Sequence, residues 1–266
     1  MDMIPSKRQH GFSLMETLMA VGTLAIGMMF IAGSFLTGVY LSTVSTERTI
    51  AAVAADEAFA KVQLYGLDPN QASLTSTRFV SYEQFVTIPA EEYLYPSTRE
   101  EPERQYSWAA ICRRMRGGSR LIQCTVFVSR QIGTSSTYWV RTGGAGGTQL
   151  GPLSLPRPVP VLVMQDVNSP NTRELLLQDA LPADGIDELA FVNDGAVLVD
   201  DRTGQIYRVL ERYADQPDKI LLDLPWTGGA IAPPSGGWVW VVPPATAGGR
   251  DPLVGVYQQV LRFPEQ

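Results

Sequence analysis

A chain of 266 residues with 21 Lys and Arg against 27 Asp and Glu carries a formal charge of −6, with one histidine and two cysteines. That balance disfavours non-specific nucleic-acid binding, which needs Lys and Arg clustered on one face, and leaves Arg113, Arg114 and Arg116 as a local basic patch. The length accommodates one anchor helix and about 200 residues beyond it, enough for one or two compact domains.

The N-terminal segment comes first in order and in information. From Gln9 to Thr46 the only formally charged side chain is Glu16. Thr17 to Leu41 is long enough to cross about 30 Å of hydrocarbon, which takes roughly 20 helical residues. Lys7 and Arg8 precede it, with no acid nearer than Asp2, which predicts a cytoplasmic N-terminus and everything after Leu41 outside. A secretory signal peptide would have a shorter apolar core with small residues at a cut behind it. A plain signal anchor accounts for span and orientation but not for Glu16. Placing a carboxylate in hydrocarbon costs about 2.5–3.5 kcal/mol on insertion scales, so such an acid needs a partner or a task.

The run Gly11-Phe12-Ser13-Leu14-Met15-Glu16-Thr17-Leu18 resembles the cleavage and methylation motif of type IV prepilins and type II secretion pseudopilins. The resemblance implies that a prepilin peptidase cuts after Gly11 and methylates the new N-terminus at Phe12, with Lys7 and Arg8 in the leader. It also implies a role for Glu16 in assembly, pairing with the N-terminal ammonium of a neighbouring subunit. Removing one partner of a buried ion pair typically costs about 3–5 kcal/mol, because the other charge is stranded. The implied partners are the peptidase, other pilin or pseudopilin subunits, an inner-membrane assembly platform and membrane lipid, with no nucleic acid.

Cleavage would also change the chemistry available. His10 and Lys7 would leave with residues 1–11, and the formal charge would become 19 − 26 = −7. Without histidine, a Ser-His-Asp or Cys-His mechanism has no imidazole base, and two cysteines are too few for most zinc sites. The expectation is a non-enzymatic subunit with no cofactor of its own.

Beyond the span, Ser42 to Tyr65 lacks Pro and Gly, and Arg48, Ala51, Ala55, Ala58, Phe59, Val62 and Tyr65 recur at intervals of three and four. The helix is expected to continue through this amphipathic half until Gly66 and Asp68-Pro69 stop it, about 80 Å at 1.5 Å per residue. Gly22, Gly27, Gly33 and Gly38 punctuate the membrane half. They permit close packing against other helices in lipid, or weaken the helix by about 1 kcal/mol each relative to alanine. The resembled pilins often carry proline near Gly33; this chain does not.

Tyr106 to Arg116 and Arg120 to Arg130 alternate as two strands about Gly117-Gly118-Ser119, a three-residue hairpin loop. If Arg116 faces Arg120, Cys112 faces Cys124, Ala110 faces Val126 and Trp108 faces Val128. Two opposed cysteines in an oxidising compartment are expected to suit a disulfide, with a pair of buried free thiols as the alternative. No neighbouring His or Lys stands in the local sequence to activate either thiol.

Gly143 to Gly147, then Pro152, Pro156, Pro158 and Pro160, read as a flexible turn and a stiff linker. The glycines are not followed by the Gly-Lys-Ser/Thr of a phosphate loop. Short β segments come next: Val159 to Met164, Ala196 to Val199, Ile206 to Arg212, Ile220 to Leu224, Trp238 to Val242 and Val256 to Phe263. Asp201-Arg202-Thr203-Gly204 supplies a hairpin turn. Five or six such strands suggest a small barrel or sandwich. Asp166-Val167-Asn168, Asp184 to Glu188 and Asn193-Asp194 offer oxygen ligands for calcium, but lack the twelve-residue loop pattern and are also ordinary turn formers. Trp226, Trp238 and Trp240 could line a groove, although alternation of Trp238 and Trp240 favours a core.

The fold class expected is α+β and pilin-like: leader 1–11, helix 12–65, β head 66–142, linker 143–160 and a β-rich region 161–266. The Tyr-x-Trp strand followed by a Val-rich strand resembles PilV-type or I-type minor components. The expected place is the inner membrane, single-pass, with the head outside. Two other classes stand beside this reading: a binding or adhesive module displayed on a filament, and a membrane-anchored periplasmic enzyme. An exposed aromatic or acidic pocket after Pro160 marks the first, and convergent carboxylates in one pocket mark the second.

Overall fold

The computed structural model describes residues 13–264, apart from 76, 101–102, 116–119, 132–135, 143–148, 167–168, 181, 183–184, 229–235 and 247–250. The leader, Gly11, Phe12, the hairpin loop and the Gly-rich turn lie outside the described residues. Two compact units are present, Met1–Glu47 and Arg48–Gln266. The architecture is α+β: a long N-terminal helix, antiparallel sheets and a closed barrel.

Helix α1 runs Leu14–Tyr65. In the first unit its apolar side chains are uncovered, with Phe30, Ile31, Phe35 and Leu36 each at least 70% exposed. This segment is long and apolar enough to cross a membrane. Its few hydroxyls are turned back on the backbone: Thr23 donates to Met19 O, Ser34 to Phe30 O and Thr37 to Gly33 O, at 2.9, 2.9 and 3.0 Å. That arrangement removes the polar groups that hydrocarbon would penalise. The helix ends at Gly66, whose φ of 77° suits glycine, as its N–H still bonds Val62 O.

In the second unit Ala51, Ala54, Ala55, Ala58, Phe59 and Val62 form the buried stripe of α1. Arg48 and Tyr65, expected on that stripe, are exposed, and Lys61, outside the expected stripe, is buried. Two carboxylates explain the difference: Lys61 Nζ is 3.0 Å from both Glu57 and Glu92 and donates to Glu92 O at 2.8 Å. A buried ammonium is tolerable when its donors are matched in this way.

The stripe packs on a five-stranded antiparallel sheet. Its first four strands are β1 (Val80–Ser81), β2 (Leu94–Tyr95), β3 (Tyr106–Arg114) and β4 (Leu121–Arg130). β3 and β4 pair with Trp108 opposite Val128, Ala110 opposite Val126 and Cys112 opposite Cys124, the register expected when Arg116 faces Arg120. Even-numbered residues of β3 and β4 face α1, joined by Tyr82 and Tyr93; Ile111 and Phe127 face the other way.

The chain then leaves the sheet. β5 (Tyr138–Thr142) and β6 (Gln149–Leu153) form a two-stranded ribbon where the sequence reads partly as linker. β7 (Val159–Gln165), β8 (Glu174–Gln178), β9 (Val197–Asp200), β10 (Ile206–Arg212), β11 (Lys219–Leu222) and β12 (Gly237–Val241) close into a barrel, in the order β10-β11-β8-β7-β12-β9. Alternate residues, Val159, Val161 and Val163 on β7 and Leu175 and Leu177 on β8, fill the interior. With so few strands the lumen is occupied by side chains. The last strand, β13 (Leu253–Arg262), does not join this barrel but returns to pair along β4, with Leu261 and Phe263 completing the core against α1.

The barrel meets the sheet face opposite α1. Phe79, Ile111 and Phe127 from the sheet side pack with Val199, Trp240 and Val242 from the barrel side. The Asp201–Gly204 turn is pinned across this junction. Arg113 donates to Arg202 O and Thr203 O, and Gln258 Nε2 donates to Gly204 O.

Candidate functional site

Ser13 caps α1: its hydroxyl accepts from Met15 N at 3.3 Å and its carbonyl accepts from Glu16 N at 3.0 Å. Glu16 therefore occupies the third helical position, in the first turn, where free N–H groups favour a carboxylate. This Ser-x-x-Glu spacing is a capping-box signature that the chain shows on its face and the motif-level reading passes over. Its strength decides little, since a carboxylate at a helix N-terminus is worth about 0.3–1 kcal/mol. Insertion into lipid costs about 2.5–3.5 kcal/mol. A helix cap alone does not offset the membrane cost, and no described side chain bonds Glu16.

Cys112 and Cys124 are both fully buried free thiols with sulfurs 3.0 Å apart. The bond from Met115 N to Leu121 O sets the phase of the β3–β4 ladder and makes Cys112 and Cys124 a non-hydrogen-bonded pair. In such pairs the Cα atoms stand about 4.5 Å apart, within the range for a disulfide. Burial, followed by the Cys124 thiol beside it, pushes the Cys112 pKa well above its usual value. Burial likewise raises the nearby Tyr82 phenol. This is an inert environment for a nucleophile.

Asp201, which the sequence presents only as a turn residue, is a buried carboxyl group with a raised pKa. It is 1% exposed, and its Oδ1 accepts from Trp240 Nε1 at 2.8 Å and Phe79 N at 3.0 Å. Burial raises its pKa, against the opposing pull of those two bonds and of Arg78, whose Nε is 3.7 Å away. Its neighbour Asp200, also buried, holds the turn through Arg202 N, Thr203 N and the Thr203 hydroxyl. Asp201 thereby joins the sheet side, through Phe79, to the barrel side, through Trp240.

The acidic clusters are engaged locally. Asp166 pairs with Lys219 at 3.2 Å, Asp187 caps Leu189 N, Glu188 accepts from Ala180 N and Asp194 accepts from Arg212 N. Val167, Asn168 and Asp184 lie outside the described residues. Among the described residues no group of three or more His, Cys, Asp or Glu could hold a metal. Trp240 is buried, Trp226 stacks on Tyr207 with ring centres 5.2 Å apart, and Trp238 is half-buried on β12. A shallow groove of about 400 Å³ lies between Trp139, Ile186 to Asp187, Ala190 to Phe191 and Pro244 to Thr246. Asp187 is the acid at its wall, and its Oδ1 is engaged in the cap.

Searches of known families, characterised proteins and solved structures return no match to this chain.

Proposed function

We propose that the chain is a minor pilin or pseudopilin, a structural subunit of a type IV pilus or type II secretion pseudopilus. The observation that carries the reading is the combination at the N-terminus. A single acid heads an otherwise uncharged, uncovered apolar helix, and that helix runs on into a half whose alanine face is buried under a β-rich head. Uncovered apolar surface of this extent requires lipid or neighbouring helices. The resemblance of residues 11–18 to the prepilin motif gives that helix a fate: cleavage after Gly11, methylation at Phe12, retention in the inner membrane with the head outside, and docking through Glu16 into a filament. The partners are the prepilin peptidase, sister subunits and the assembly platform. The head acts by contact and carries no cofactor.

Mass spectrometry of the mature N-terminus tests this. With prepilin peptidase present, the expected species begins at a methylated Phe12; an intact Met1 or a cut elsewhere refutes the reading. Glu16→Ala should be processed normally yet be lost from sheared filaments, and normal incorporation removes the role given to Glu16.

A further inference from the structure

The sheet in the second unit has two unlike edges. On one side β1 and β2, two residues each, pair with separate stretches of β3, so that edge is short and broken. On the other, β13 offers ten residues and pairs only with β4. The register and the bond from Phe263 N to Arg120 O at 3.1 Å set the phase of that ladder. Tyr257, Gln259 and Leu261 bond β4, so the amides and carbonyls of Val256, Gln258, Val260 and Arg262 point outward. No described strand pairs with them.

Proteins usually blunt such an edge with lysine, proline, a short strand or a bulge. Here the bulge sits at one end, between Leu253 and Gly255. The run Val256 to Leu261 contains no charge and no proline, and Val260 is 49% exposed. The side chains also fit an antiparallel copy of themselves. Centring a two-fold axis on Gln258 sets Val256 against Val260 of the second copy and Leu261 against Gly255 of the second copy. Apolar groups meet, and a large residue meets the smallest. Arg262, the only charge in the strand, falls at opposite ends of the pair, about 27 Å from its copy at 3.4 Å per residue. No like charges meet.

We propose that the outer edge of β13 pairs antiparallel with the same edge of a second copy of this chain, forming one continuous sheet across a two-fold dimer. The contact is isologous and closes on itself. Some seven residues from each copy make a contact smaller than the about 1,200 Å² of a stable interface, so association is weak in dilute solution. Anchoring both copies in one membrane raises their effective concentration. The inference does not rest on the filament reading, because it is argued from the β13 edge, with which no described strand other than β4 pairs.

Sedimentation velocity of the full chain in detergent, over a concentration series reaching roughly millimolar, tests it. Val260→Pro removes an outward N–H while leaving every bond to β4 in place, and Val260→Lys adds a charge at the same rung without altering the backbone. The expected result is a concentration-dependent wild-type dimer, weakened at least tenfold in both variants at unchanged melting temperature. Should the proline variant fail to fold, the lysine variant carries the test. A wild-type chain that stays monomeric overturns the proposal, as does a dimer that neither variant weakens, which would place the association on another surface such as the anchor helix. A monomer that instead takes up an extended strand from a different subunit overturns it equally.

Discussion

Asp201→Ala is the sharpest test of how the barrel is held to the sheet. The substitution strands two buried donors, Trp240 Nε1 and the Phe79 amide, which now share one carboxylate oxygen. A buried donor left unpaired costs about 1–3 kcal/mol, giving about 3 kcal/mol as a central figure for the pair once the relief of removing a buried carboxylate is set against it. For a unit of this size that corresponds to roughly 6–12 °C in melting temperature. Asp201→Asn keeps an oxygen for both donors and should lie within about 1 kcal/mol of wild type. The two variants differ most clearly in pH dependence. The native Asp201 pKa is raised by burial above its unfolded value of about 3.9, so its contribution is fully present below that pH and is lost as pH rises through the native value. The asparagine variant should lack that loss. Urea titrations followed by tryptophan fluorescence, at several pH values, read both effects. An alanine variant within about 0.5 kcal/mol of wild type, or identical pH profiles for wild type and Asp201→Asn, would refute the account of the junction.

Two further outcomes are expected. Lys61→Met should destabilise the second unit by about 2 kcal/mol, below the full cost of breaking a buried pair because Glu57 and Glu92 are partly solvated; adding Glu92→Gln should recover part of the loss in a double-mutant cycle read by urea denaturation. Folded, reduced protein should resist iodoacetamide at pH 8 and take up two labels once unfolded, because burial keeps Cys112 protonated. Rapid labelling of the native form, read by intact mass, contradicts that reading.

Local pattern made much of the fold legible. The β3–β4 register follows from the three-residue loop, which sets Arg116 against Arg120, together with the alternation that collects Trp108, Ala110 and Cys112 on one face. The turn at Asp201–Gly204 follows from residue types that bond their own backbone. β8 escaped because three consecutive leucines within Glu174–Gln178 show no period, although only Leu175 and Leu177 are fully buried. The return of β13 to β4 is a pairing between distant segments, and nothing in Val256 to Phe263 distinguishes one sheet from the other. The burial of Lys61 was not legible because its partner Glu92 lies far along the chain. At the candidate site, Glu16 and the cysteine pair were visible as patterns. Asp201 looked like any turn aspartate, since its burial depends on Trp240 and Phe79 arriving from elsewhere.

The β4–β13 pairing carries a consequence for how such a chain could diversify. Arg130 N donates to Pro252 O at 2.8 Å, so the main chain departs from the sheet and comes back to it at adjacent points. Everything between, ribbon and barrel together, hangs from a single doorway. A simple turn joining those two points would leave the helix and the sheet connected but uncover Phe79, Ile111 and Phe127, so a different module spliced through the same opening would need an apolar face to cover them. Evolution or an engineer could then exchange the barrel without rebuilding the long helix and its sheet.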